Sequence, residues 1–122
     1  MRTLIQAKLD EISSIDSGCF IPDSVIEVDK TYFGYEIQSN YQSQDFDRME
    51  IRHISIIGFI VRKVKNTENT LEIIDNAKNE IQTKLKELNF KVSTQDISLQ
   101  DDIRKVKVTG YVTLNEINNE LI

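Results

Sequence analysis

The chain has a single histidine, His53, in the run Glu50-Ile51-Arg52-His53. An imidazole serves as a general base only with a nucleophile or carboxylate held within hydrogen-bond reach, and the sequence around His53 proposes no such pairing. Asp45 with Asp47, and Asp101 with Asp102, are carboxylate pairs of the type that hard cations use. Neither pair has the glycine and carboxylate spacing of a calcium loop, so both read as solvated turns. Gly34, Gly58 and Gly110 fall inside strand-like runs, far apart, and none belongs to a phosphate-cradling loop. Cys19 is the only cysteine, which forbids an intrachain disulfide and fits a reducing compartment. It reads as a small loop residue rather than a nucleophile. The expectation is a protein without catalytic residues, cofactor or bound metal, whose work is done by surfaces.

Charge narrows what those surfaces meet. With 20 acidic against 15 basic residues the formal charge is −5, which disfavours a phosphate-binding footprint. The two basic clusters, Arg62-Lys63 with Lys65 and Arg104-Lys105 with Lys107, have acidic neighbours and no interleaved aromatic residues. They read as solvated strand ends or as cross-strand and cross-subunit ion pairs. The start MRTLIQAKLDEI lacks the apolar core of a signal peptide, and no run approaches the length of a membrane span. The expectation is a soluble protein made in the cytosol.

The 122 residues form one expected domain, 1–122, large enough to bury roughly two-thirds of the unfolded chain's surface. Its organising stretch is Glu68–Leu88, where Leu71, Ile74, Ala77, Ile81, Leu85 and Leu88 recur at steps of three or four and predict an amphipathic helix. Asn69 followed three residues later by Glu72 is a start signal, with Thr67 and Thr70 as alternative caps, and Asn89 is the stop. A shorter helix is expected over residues 1–15 from Leu4, Ile5, Leu9 and Ile12. Residues 16–30 read as a loop, in which Ser24–Val28 could form a short strand.

Thr31–Asn40 alternates Phe33, Tyr35 and Ile37 with Glu36 and Gln38, the pattern of a half-buried strand. Tyr41–Arg48 reads as a protruding hairpin connection. The next strand, Met49–Lys63, is apolar on both faces from Ile54 to Val61, which means a central position with cover on each side or one face left for a partner. A third strand begins at Phe90–Ser93, the residues around Ile97–Asp102 read as a turn or a short strand pair, and Ile103–Leu114 alternates with period two. Gly58-Phe59 and Gly110-Tyr111 put a glycine before an aromatic residue inside a strand, where a ring over the gap or a bulge is the expected compensation. Residues 115–122 read as a tail, with Ile117, Leu121 and Ile122 at spacings compatible with a brief helix that orders on contact with another chain. The predicted fold class is α+β: one antiparallel or mixed sheet of about four strands, with the long helix and the short N-terminal helix packed on one face.

The succession TYFGYEIQSN, polar loop, HISIIGFIVRK, TLEIIDNAKNEIQTKLKELNFKVS and DDIRKVKVTGYVTL resembles the tail terminator, or tail completion, proteins of long-tailed bacteriophages. The likeness covers roughly Leu4 to Leu114 and lies in element order and texture. It implies a structural virion protein: a homohexameric ring that caps the tail tube, stops its polymerisation and joins the tail to the head connector or stopper protein. DNA would pass through the ring without specific binding, and the subunit would be assembled in the host cytoplasm into the head-proximal end of the tail. The implied interface comprises Tyr41, Asp45, Phe46, Asp47 and Arg48 on one protrusion, Asp101, Asp102, Arg104 and Lys105 on another, and Ile54 and Ile56 on the apolar strand. Two other readings stand beside it. One is a different head–tail connector or completion protein, and the other is a small-ligand-binding regulatory module whose helix closes a pocket on the sheet.

Overall fold

In the computed structural model the chain runs α1 (Arg2–Asp10), β1 (Asp16–Gly18), β2 (Thr31–Gln44), β3 (Met49–Lys63), α2 (Thr70–Glu87), β4 (Lys91–Gln100), β5 (Ile103–Asn115) and β6 (Glu120–Leu121). The structure describes residues 2–18, 27, 29–44, 49–63, 69–100, 102–115 and 120–121, without the side chains of 2, 40–44, 49–52, 98–100, 114–115 and 120–121. Cys19, Asp45, Phe46, Asp47, Arg48, Asp101 and most of the candidate strand Ser24–Val28 lie outside the described residues.

α2 begins and ends on chemistry written into its flanks. Asn69 is the N-cap: its Oδ1 accepts from the Glu72 backbone N–H at 3.2 Å, and its Nδ2 donates to the Glu72 carboxylate at 3.3 Å. At the other end Asn89 takes a left-handed φ of 68°. Its N–H donates to the Lys86 carbonyl and the Phe90 N–H to the Leu85 carbonyl, which is the Schellman arrangement that satisfies a helix's last carbonyls.

The buried stripe of α2 is Thr70, Ile74, Ala77, Ile81 and Leu85, with Leu88 packed at its margin. Leu71, expected in that stripe, is 54% exposed, because it lies about 100° around the helix from Thr70. The same offset turns Leu4 outward, 50% exposed, while Ile5, Leu9 and Ile12 enter the core. Each fully buried Ile or Leu contributes about 1.5–3 kcal/mol through removal of apolar surface from water. α1 is tied further by Gln6, which accepts a hydrogen bond from the Tyr35 hydroxyl and donates to Asp10 at 2.8 Å and to Ser17 Oγ at 2.9 Å.

The sheet follows the order β1-β2-β3-β5-β4, with the two-residue β6 added to β5. All pairs are antiparallel except β1 with β2, so the sheet is mixed. The main path holds five strands rather than about four, because Asp16–Gly18 pairs in parallel with Tyr32–Gly34. The tail also differs from expectation: Glu120 and Leu121 pair as a strand with Asn115 and Leu114. Both helices lie on the face presented by Phe33, Tyr35, Ile54, Ile56, Ile60, Val106, Val108 and Val112, which form one core with them. The class is α+β, with the helices on one face of a single sheet.

Two glycines in this sheet are set by close approach. A Cβ on Gly58 would meet the Phe33 ring, and one on Gly110 would stand 3.0 Å from the Ile56 methyl and 3.4 Å from the Phe90 ring. The rings that fill these gaps come from other strands and from the α2–β4 junction, since Phe59 and Tyr111 point to the opposite face. A bulge lies instead in β4 between Ile97 and Gln100.

Candidate interaction surface

Residues directly opposite in neighbouring strands share a face, so the register defines the side of the sheet away from the helices. β3 contributes Ser55, Ile57, Phe59, Val61 and Lys63 to this open face. Opposite them on β5 stand Tyr111, Thr109, Lys107, Lys105 and Ile103. β4 adds Lys91, Ser93, Gln95 and Ile97, and β2 adds Tyr32, Glu36 and Gln38. At one end Tyr32, Val61 and Ile103 form a small buried cluster with Phe59 against it. The Glu27 N–H donates to the Tyr32 hydroxyl at 3.3 Å at that end.

Beyond that cluster described residues of this face reach solvent. Tyr111 is 53% exposed, and Lys91 Nζ lies 5.6 Å from the centre of its ring, within cation–π range. Ser55, Ile57, Lys91, Ser93, Thr109 and Tyr111 line a shallow depression of about 360 Å³. It lies on the side opposite α2, so α2 of the same chain does not close it, contrary to the geometry expected for a ligand pocket roofed by the helix.

The register also brings together the two basic clusters that are far apart in sequence. Arg62 stands opposite Arg104, Lys63 opposite Ile103, Val61 opposite Lys105 and Phe59 opposite Lys107. Like charges directly opposite each other repel. The buried Arg62 is held by a hydrogen bond from its Nη1 to Thr31 Oγ1 at 2.8 Å. On the open face Lys63, Lys91, Lys105 and Lys107 accompany Glu36 and, opposite Tyr32, Asp16, and the register puts Glu120, opposite Asn115, on the same side. The aromatic residues Phe59 and Tyr111 are interleaved with the lysines, which the linear sequence does not display because the interleaving runs across strands.

The sequence-predicted interface residues scatter. Ile54 and Ile56 are not surface: both are fully buried, because even-numbered positions of β3 face the helices. Tyr41 belongs to β2, paired with Arg52, since the β2–β3 ladder runs on to Gln44 and Met49. Of the two readings of Ile97–Asp102, a turn or a short strand pair, the structure has the strand pair: β4 runs to Gln100, opposite Ile103, so the protruding turn placed over Gln95–Asp102 is mostly strand, with Asp102 at a φ of 60°. Arg104 and Lys105 are half-buried on opposite faces of β5. His53 also lies on the open-face register, its Nδ1 3.3 Å from Thr113 Oγ1.

Among the described residues no three His, Cys, Asp or Glu side chains are grouped to hold a metal ion. No described helix is long and apolar enough to cross a membrane. No protein-family model and no curated protein sequence matches the chain.

Proposed function

We propose that the chain is the subunit of a closed ring that ends a phage tail tube, halting its polymerisation and joining it to the head connector. The observation that carries this reading is the incomplete cover of the sheet face away from the helices, which is buried at the Tyr32, Val61 and Ile103 end and exposed at Tyr111. Helices bury one face, while the other leaves Ile57 half-buried and Tyr111 exposed beside a shallow depression. A sheet with an apolar strip on its uncovered face gains stability from a neighbour, and cyclic symmetry offers every copy the same neighbour. The β2–β3 ladder supports the reading in a second way. It continues two residue pairs past Asn115, the last β5 residue paired with β3, to Gln44 and Met49, so this end of the hairpin extends beyond the rest of the ladder. DNA passes through such a ring without being gripped, which agrees with a net charge of −5.

A different head–tail connector role would use the same surfaces, and copurification with the tail rather than the head separates the two. The direct test is native mass spectrometry of the purified protein, electron microscopy of any oligomer, and addition of the protein to polymerising tail tube protein. The expected result is a six-membered ring and shortened tubes with the ring at one end. Tubes of unchanged length with no protein at either end would overturn the reading.

A further inference from the structure

We draw no further inference here: the strongest candidate, the shallow depression between Ile57, Lys91 and Tyr111 on the sheet face away from the helices, is part of the surface already described, and nothing in the structure shows what covers it.

Discussion

The ring of Phe33 lies against the backbone of Gly58, so close that a Cβ on residue 58 would stand 2.6 Å from its Cε1. Phe33 also stacks on Tyr35 with ring centres 5.6 Å apart. Gly58→Ala is therefore expected to cost about 1–3 kcal/mol through overpacking, and Phe33→Ala about 3–5 kcal/mol through a cavity. In the double variant the two costs should fall short of their sum, because removing the ring relieves the closest contacts of the methyl group and leaves only the Gly34 carbonyl oxygen, 2.9 Å from the same Cβ, to give way. Urea denaturation of the four proteins reads this directly, and additive losses would mean that the ring does not set the need for glycine.

Asn89 holds a left-handed conformation that lets α2 turn into β4. Asn89→Ala should lose about 1 kcal/mol of stability, whereas Asn89→Gly should lose none or gain slightly. Thermal unfolding of the pair separates a backbone requirement from a side-chain one.

The Gln6 amide joins α1 to β1 and β2, taking a hydrogen bond from Tyr35 and giving one to Ser17. Tyr35→Phe removes the donor and leaves the packing, with an expected cost of about 1 kcal/mol. Hydrogen exchange should report faster opening of the α1 amides than of the β3 and β5 amides, since α1 depends on this junction and on the Ile5–Leu9–Ile12 stripe.

Lys8 bridges the helices to Glu87 at 2.9 Å and also approaches Glu11 at 3.8 Å. The hydrogen bond from Lys8 holds the Glu87 carboxyl below its ordinary 4.5, and the same bond raises Lys8 above its ordinary 10.5. A lowered carboxyl pKa adds stability at pH values above 4.5, lost as pH falls through the folded value. A raised amine pKa adds stability below 10.5, lost as pH rises through the folded value. The midpoint difference between wild type and Lys8→Met should thus be flat from about pH 6 to about pH 9 and shrink below about pH 4. Salt should weaken it throughout, because the pair is solvent-exposed.

Much of this architecture can be read from the residues, and the exceptions have physical causes. α2, β3 and β5 carry strong periods, and the Asn69 and Asn89 caps mark their junctions. The polar ends of β2 and β4, Tyr41–Gln44 and Gln95–Gln100, do not advertise strands; antiparallel pairing supplies their backbone hydrogen bonds whatever their side chains. β1 is three residues with no β propensity, placed by its pairing with β2 and by the Gln6–Ser17 hydrogen bond from α1. Ile54 and Ile56 could not be assigned to core or surface, because β3 is apolar on both faces and alternation alone does not say which side the helices choose. The lysine face needs the register: only the pairing of Phe59 with Lys107 and of Lys91 with Tyr111 mixes charges and rings that are distant along the chain.

The last long strand to leave the ribosome, β5, fills the slot between β3 and β4, which run side by side nowhere. Until residues 103–115 arrive, the nascent chain holds two ladders' worth of unsatisfied peptide groups facing an empty lane, and no earlier segment completes it. Productive folding of the sheet accordingly waits for β5, and a fragment ending at residue 100 should be rescued in trans by a peptide bearing the missing lane.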